Sequence, residues 1–196
     1  KDGQTVDQAL PERFGFREFE IRGKFFYLNG IKLNIRPAAY YVGKLFPLDR
    51  AVIDRWIKRA MAEGRNFIYI ESVDTPNRAE ALQPVLEAAD EAGLLMAVTP
   101  CQIREFWQRL DEPKIVQEYS EYLKIRAQRV WNHPALIMYR MNMNFCCYNQ
   151  DQNPLFLDGI KTPPADSSLG KRFAALEISN QLMKSIDPTR PTYNHA

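Results

Sequence analysis

Short apolar runs alternate with longer amphipathic segments along most of this chain, and this alternation is what most limits the folds open to it. In the longer segments, apolar residues recur at the three- and four-residue spacing of a helix. Strands that alternate with helices indicate a parallel sheet with helical crossovers. Runs that are apolar along their length are typical of parallel strands covered on both faces. The predicted strands are residues 31–40, 66–71, 94–98, 135–141 and 192–196.

Four helices are predicted between these strands, and the first two carry clear boundary signals. Asp49 is the predicted cap of the first helix, and Gly64 ends it. Asn77 is the predicted cap of the second helix, with Glu80 completing a capping box, and Gly93 ends that helix. The third and fourth helices are predicted over 113–131 and over the segment that ends before 187–191.

The amino-terminal part of the chain has a different pattern. Residues 1–13 are polar and are predicted to be a linker or the end of a preceding domain. Two short runs of β-forming residues follow, and Asn29-Gly30 is a strong signal for a tight turn. We therefore expect a β-hairpin whose second arm leads into the first long strand, ending near Tyr40. Residues 14–196 then form one unit.

Two α/β architectures are compatible with the alternation, the (β/α)8 barrel and the doubly wound sheet. A dinucleotide-binding doubly wound sheet carries a glycine-rich turn after its first strand. The corresponding residues 40–43 read YYVG, which is not that motif. A complete barrel needs about 250 residues. The sequence therefore predicts a partial (β/α)8 TIM barrel of four βα units plus a fifth strand, whose open edges associate with the remainder of the barrel, with flanking β-sandwich domains or with other copies.

Composition argues against several classes of partner. The net charge is +2 and Lys and Arg are spread evenly, so we expect no nucleic-acid partner. The longest apolar runs fall well short of the roughly 20 residues of a membrane-spanning helix, so we expect no membrane association. Three cysteines and two histidines form neither a CxxC pair nor an HExxH helix, so we expect no metal and no cofactor.

In a barrel, the functional site lies at the carboxyl ends of the strands and in the loops that follow them. Aromatic, carboxylate and amide side chains occur together at these places, and this mixture suits a polyhydroxylated substrate such as a sugar. Glu71 is a candidate for catalysis, but it is equally suited to pairing with Arg36 or Arg140. The predicted substrate-binding residues are Arg36, Tyr40, Asp74, Gln102, Arg140, Asn142, Tyr148 and His195. Tyr41, Ser72, Thr99, Cys101 and Asn194 occupy similar positions.

Four stretches resemble family two glycoside hydrolases, the β-galactosidase and β-glucuronidase group. Residues 14–30 (GFREFEIRGKFFYLNG after Phe14) resemble the family's entry to the barrel, and 86–96 (LEAADEAGLLM) resemble a helix-to-strand step. Residues 129–144 (RVWNHPALIMYRMNMN) resemble the step onto strand four, and 187–196 (DPTRPTYNHA) the step into strand five. The resemblance implies a barrel that acts on O-glycosidic bonds of a carbohydrate, in a parent protein that we expect to be secreted or periplasmic.

The sequence departs from the family at strand four. There the family has an Asn-Glu pair whose Glu is the general acid/base, and counting from His133-Pro134 places Met143 and Asn144 at these positions. An amide cannot donate and recover a proton as a carboxylic acid does. The family's nucleophile lies on strand seven, beyond Ala196. Pro37 and Tyr139 also differ from the family's usual residues.

Three explanations of Asn144 are open. Another carboxylate (Glu71, Asp74 or Asp151) supplies the acid, or the protein binds sugar without cleaving it, or the register is shifted by two residues so that Asn142 holds the Asn position. The functional hypotheses are accordingly a hydrolase in the parent protein, a non-catalytic carbohydrate-binding or scaffolding protein, and a structural fragment that assembles through its edges.

Overall fold

The computed structural model describes residues 14–40, 49–70, 76–103, 106–142, 155 and 160–194, with the side chains of 39, 40 and 76–81 left out. The predicted linker, residues 1–13, lies outside this set, as do Cys146 and Cys147. The described elements form a three-stranded antiparallel sheet and a five-stranded parallel sheet with four α-helices.

The small sheet consists of β1 (Phe19–Arg22), β2 (Phe25–Leu28) and β3 (Ile31–Leu33), in that order. Asn29 and Gly30 have φ values of 50° and 77°, as a tight hairpin turn requires. The predicted hairpin is thus one half of a three-stranded meander. The additional turn is at Gly23, whose φ of 60° lies in the left-handed region that favours glycine.

The prediction of one continuous strand from residue 31 to residue 40 is wrong. The chain leaves the antiparallel sheet after Leu33, and a separate strand β4 (Pro37–Tyr40) begins the parallel sheet. Asn66 fixes the break. Its Oδ1 accepts the backbone N–H of Arg36 at 2.7 Å, and its Nδ2 donates to the carbonyl of Asn34 at 2.9 Å. These bonds replace the ladder bonds that a continuous strand would make.

The parallel sheet follows the order of the sequence. Its strands β4, β5 (Phe67–Ile70), β6 (Leu95–Val98), β7 (Leu136–Arg140) and β8 (Thr192–Tyr193) lie side by side, and every neighbouring pair is parallel. The helices α1 (Arg50–Ala62), α2 (Pro76–Ala92), α3 (Pro113–Gln128) and α4 (Ser168–Ile186) connect them, with a short 3-10 helix (Trp107–Arg109) before α3. The predicted alternation of strands and helices is confirmed.

Most helix boundaries agree with the sequence signals. The side chain of Asp49 accepts the N–H of Ala51 at 3.1 Å, which caps α1. Gly64 and Gly93 adopt φ values of 81° and 73° just after α1 and α2. The prediction that Asn77 caps α2 is wrong, because the helix already includes Pro76. Proline suits the first turn of a helix, where its missing N–H is not needed.

All four helices cover the same face of the parallel sheet. Residues of every helix share one core with strand residues such as Ile68, Met96 and Leu136. The opposite face, including Phe67 and Leu95, packs against the three-stranded sheet. Phe67 and Leu95 are the first residues of their strands, so the small sheet lies at the amino ends of the parallel strands. A doubly wound sheet instead has helices on both faces. The arrangement is compatible with part of a barrel.

None of the helices in the described ranges is long and apolar enough to cross a membrane.

Candidate functional site

Arg140 lies at the carboxyl end of β7 and brings together side chains from neighbouring strands. It is fully buried, and its Nε donates a hydrogen bond of 2.9 Å to Oγ1 of Thr99, the residue after β6. Its guanidinium carbon stands 4.7 Å from the ring centre of Tyr69 on β5, a favourable cation–π distance. Its neighbour Tyr139 belongs to the core that the helices share, and successive residues of a strand face opposite sides. Arg140 is therefore on the sheet face opposite the helices, which is the face that would line the interior of a barrel.

Tyr193 of β8 completes this arrangement. It pairs with Arg140 in the parallel ladder, and its carbonyl accepts the N–H of Met141 at 2.9 Å. Burial raises the pKa of the Tyr193 hydroxyl to about 12, although the positive charge of Arg140 favours its ionised form and Tyr69 opposes it. The phenol therefore stays protonated at neutral pH and can donate a hydrogen bond. Four neighbouring strands thus supply one residue each to a polar cluster, formed by Tyr69, Thr99, Arg140 and Tyr193.

Two further predicted residues are located next to this cluster in the chain. Asn142 follows β7 and is almost completely buried. Gln102 lies four residues beyond β6 and is half-buried, and its carbonyl is 3.7 Å from the Cys101 sulfur. Cys101 is buried. Arg140, Asn142 and Gln102 are therefore at the end of the sheet where the sequence predicted them.

Arg36 does not lie with this group in the structure. Arg36 precedes β4, so it is at the amino end of the parallel sheet, beside Asn66 at the start of β5. The prediction that Arg36 follows the first barrel strand is wrong, because that strand begins only at Pro37. Asn194 follows β8 and is exposed. The remaining predicted site residues lie outside the described residues. These are the side chain of Tyr40 and residues Glu71, Asp74, Asn144, Tyr148 and His195, together with Tyr41, Ser72 and Asp151.

Sequence reasoning missed Tyr69 and Tyr193. Both residues lie within strands, whereas the site was predicted mainly among the residues that follow each strand. A usable signal was present, since Tyr69 alternates with Ile68 and Ile70 in the sequence FIYI. The two isoleucines are completely buried, and Tyr69 is on the other face. A polar-tipped aromatic residue at that position indicates the lined side of the sheet.

Residues of the motifs that resemble family two glycoside hydrolases make structural contacts at the amino ends of the parallel strands. In the segment 187–191, Asp187 accepts hydrogen bonds from the Tyr139 hydroxyl and from Nη1 of Arg190, each 2.8 Å long. Arg190 also donates to the carbonyls of Trp131 and Leu136. Both Asp187 and Arg190 are buried. This ion pair holds the end of α4 against the turn before β7.

Electrostatics in this network favour an ionised Asp187. Burial by itself would raise the pKa of Asp187, but hydrogen bonds from Thr189, the charge of Arg190 and the Tyr139 hydroxyl together hold it below its ordinary value. Burial and the neighbouring Arg190 lower the pKa of Arg17 to about 10, which leaves it a cation at neutral pH. Arg17 donates through Nε and Nη2 to the same Leu136 carbonyl that Arg190 contacts.

His133 has an equally structural environment. Its Nδ1 is 2.6 Å from Oδ2 of Asp90 in α2, and the other oxygen of Asp90 accepts the N–H of Ala135 at 2.8 Å. Nε2 of His133 is 3.3 Å from Gln83. His133 and Asp90 therefore join the turn before β7 to helix α2. Among the described residues, no group of three or more His, Cys, Asp and Glu side chains is arranged to hold a metal ion.

Sequence and structure comparisons relate the chain to known proteins. No family model matches the chain. The β-galactosidase of Thermoanaerobacterium thermosulfurigenes is 25% identical over 198 residues, which cover 98% of this chain and 23% of that protein. The chain resembles a segment of a family two glycoside hydrolase. The resemblance predicted from the sequence motifs is thereby confirmed, and the low identity makes the chain a divergent relative.

Solved family two structures share the fold. The β-galacturonidase of Eisenbergiella tayi bound to galacturonate has a TM-score of 0.60 and 21% identity, covering 93% of this chain and 29% of that one. The exo-chitosanase CsxA of Amycolatopsis orientalis has a TM-score of 0.61 and 18% identity, covering 97% of this chain and 20% of that one. A β-glucuronidase from Ruminococcus gnavus has a TM-score of 0.60 and 16% identity, covering 91% of this chain and 27% of that one. The chain spans less than a third of each of these relatives.

Proposed function

We propose that these residues form the amino-terminal half of a (β/α)8 barrel in a glycoside hydrolase-like protein that acts on a carbohydrate at the carboxyl ends of β4–β8. Two features of the fold support the barrel. The parallel strands lie side by side in sequence order, and all four crossover helices pack on one face. A sheet with these properties curves towards closure when further βα units are added to its edges.

The observation that carries the proposal is the cluster of Tyr69, Thr99, Arg140 and Tyr193 at one end of the sheet. Phenol hydroxyls and aromatic rings suit a sugar, which presents hydroxyl groups at its edges and C–H groups on its faces. Arg140 is covered on all sides, so we assign it to the floor of the site. There its hydrogen bond and its cation–π contact hold Thr99 and Tyr69 in place below the ligand.

The chemistry at this site depends on the residue at the strand-four acid/base position. Retaining glycosidases need two carboxyl groups about 5–5.5 Å apart. Counted from His133-Pro134, Asn144 would hold the position of one of these groups, and by the family resemblance the other would lie on a seventh strand, after Ala196. We infer that strand four does not supply the acid, so that hydrolysis depends on another carboxylate such as Glu71, Asp74 or Asp151. Asn144 also favours a second candidate function, a non-catalytic protein that binds carbohydrate.

The experiment compares the wild type with Asn144→Ala and Asn144→Glu in the natural chain that contains these residues. Nitrophenyl β-glycosides of galactose, galacturonic acid, glucuronic acid and glucosamine are the substrates, chosen from the relatives' names. Asn34→Ala, at the opposite end of the sheet, is the matched control. Binding of the four free sugars is measured by calorimetry in parallel.

Each outcome decides between the alternatives. Hydrolysis that appears only with Asn144→Glu supports the acid/base position and a non-catalytic wild type. Hydrolysis by the wild type that survives Asn144→Ala means that another residue supplies the acid, as we infer, and that Asn144 has no part in the reaction. A chain that neither binds nor hydrolyses any of these sugars contradicts the proposal.

A further inference from the structure

A groove lies at the amino end of the parallel sheet, away from the polar cluster at the carboxyl ends. It has a volume of about 390 Å³ and is bordered by the segment 15–19, by the turn before β7 and by residues 189–190. Ligand-binding clefts typically have volumes of about 300–1,000 Å³, so the groove is large enough to hold a small ligand.

Tight contacts fix the walls of this groove. On one side, Gly15 lies so close to Pro134 that an added Cβ would be 2.6 Å from the Pro134 Cγ. On the other side, Arg190 is held by its ion pair with Asp187 and by its hydrogen bond to the carbonyl of Trp131. The groove is thus formed before any ligand binds, so little of the binding free energy is spent on ordering it.

Arg17 brings a positive charge to the groove. Its Nε and Nη2 donate to the Leu136 carbonyl along one edge of the guanidinium, and the edge formed by Nη1 and Nη2 donates to no other described residue. Asp187 pairs with Arg190 instead of with Arg17. Burial and the neighbouring charge of Arg190 lower the pKa of Arg17 to about 10, and Asp187 offsets this only in part. A carboxylate could bind the open edge with both oxygens and would relieve the repulsion between the two cations.

The other exposed residues of the groove suit the remainder of a sugar acid. Trp131 is 38% exposed and Phe16 is 92% exposed, so each offers a ring on which the C–H face of a sugar can pack. Glu18 and Thr189 are exposed and also line the groove, and side chains of these types accept hydrogen bonds from sugar hydroxyls. Glu18 is not among the charges that shift the pKa of Arg17. An acid without hydroxyl groups would use Arg17 and the rings but not these acceptors.

We propose that this groove is a second carbohydrate site, which binds a uronic acid by its carboxylate at Arg17 and by its ring at Trp131. One open guanidinium edge, two aromatic rings and two hydrogen-bond acceptors match the carboxylate, the C–H face and the hydroxyl groups of that class of sugar. The groove is at the opposite end of the sheet from the polar cluster, so it would hold an acidic sugar without taking part in chemistry there. This inference does not depend on the function proposed for the polar cluster.

Binding of galacturonate by the natural chain that contains these residues tests the site, with galactose as the neutral comparison. Tryptophan fluorescence reports on the groove, and Trp131→Phe identifies the signal that belongs to it. We expect saturable binding of galacturonate that is at least about tenfold weaker in Arg17→Gln, because a charge-assisted hydrogen bond is lost. Arg65→Gln is the matched control, since Arg65 also donates to a backbone carbonyl, that of Pro37, but lies outside the groove. Its affinity should equal that of the wild type.

Several results would overturn the inference. These are the absence of a galacturonate-dependent signal from Trp131, equal affinities of the wild type and Arg17→Gln, and equal affinities for galacturonate and galactose. Inorganic phosphate that competes as strongly as galacturonate would show a general anion site and contradict the sugar assignment. If Arg17→Gln does not fold, Trp131→Ala replaces it in calorimetry, with the same tenfold expectation.

The polar cluster is tested separately. Galacturonate binding that is lost in Thr99→Val but kept in Arg17→Gln belongs to the carboxyl ends of the strands and counts against the groove. Binding that is lost in Arg17→Gln but kept in Thr99→Val supports the groove, whatever the polar cluster does.

Discussion

The Tyr139 hydroxyl donates a hydrogen bond of 2.8 Å to the Asp187 carboxylate, and this buried bond ties strand β7 to the end of helix α4. Because the same carboxylate oxygen accepts Nη1 of Arg190, the three side chains form one unit. Replacement of Tyr139 by Phe removes one donor and leaves the ion pair. We expect a loss of about 1 kcal/mol in the free energy of unfolding, measured by urea denaturation. Tyr122→Phe, on an exposed side chain of α3, is the control and should have no measurable effect.

Replacement of Asp187 by Asn should be much more damaging. It removes the charge that compensates the buried Arg190, and breaking a buried pair in this way costs about 3–5 kcal/mol. The comparison is Glu63→Gln, which removes an exposed partner of Arg59 and should cost less than about 1 kcal/mol. Similar losses for the two variants in denaturant titrations would contradict the structural role of Asp187.

The pH dependence of stability should reveal the ionisation of the Asp187 carboxylate. The pKa of Asp187 is lower in the folded protein than its ordinary 3.8, so the unfolded chain binds the proton more readily. Its contribution to stability is therefore fully present above about pH 4 and is lost as the pH falls through the folded value. Unfolding free energies of the wild type and of Asp187→Asn, measured from about pH 7 down to about pH 2.5, should converge as the pH falls. A constant difference over that range would count against this assignment.

Among the glycines that the structure describes, Gly170 is the one at which a side chain is least tolerated for steric reasons. A Cβ built there would be 2.0 Å from the carbonyl oxygen of Pro164, and a backbone atom cannot move aside as a side chain can. We expect Gly170→Ala to destabilise the protein by about 1–3 kcal/mol, as overpacking does, despite the higher helix propensity of alanine. Lys171→Ala, at the next and exposed position of α4, should change stability by less than about 0.5 kcal/mol in the same denaturation assay.

Thr99 tests the floor of the candidate site. Thr99→Val keeps the shape of the side chain but removes the oxygen that accepts the hydrogen bond of Arg140 Nε. This should cost about 1–3 kcal/mol in stability, the penalty for depriving a buried donor of its partner, and should weaken carbohydrate binding. Thr99→Ser keeps the acceptor and should retain binding in calorimetry. If Thr99→Val binds sugar as the wild type does, the hydrogen bond between Thr99 and Arg140 has no part in the site.

The fold was largely predictable because its signals are local. Apolar periodicity and the caps at Asp49 and Gly93 lie within a few residues of the structure that they specify. The break between β3 and β4 was not predictable in this way. It depends on Asn66, which follows Arg36 by 30 positions in the sequence and meets it only in the folded sheet.

The candidate site was predictable only in part, for a similar reason. The rule that sites follow the carboxyl ends of strands selected Arg140, Asn142 and Gln102, which do lie at that end of the sheet. An error in one strand boundary led it to select Arg36 as well, which lies at the other end. The pairing of His133 with Asp90 crosses 43 positions, so no pattern along the chain reveals it. The sequence motifs therefore include His133 and Asp90, but they do not indicate that the two residues pair with each other in a structural role.

The sequence order of the parallel strands has a consequence for how the protein is made. Pro37 pairs with Phe67 and Met96 with Leu136, while Tyr139 pairs with Thr192, so each strand finds its next partner about 30 to 50 residues further along. At a synthesis rate of about 5–20 residues per second, the next partner leaves the ribosome within about 1 to 11 seconds. Every new βα unit can then dock on the one before it, while the growing edge is exposed for only a short time. This order limits aggregation during synthesis, because only the strands at the two outer edges of the sheet have to wait for a partner that is distant in the sequence.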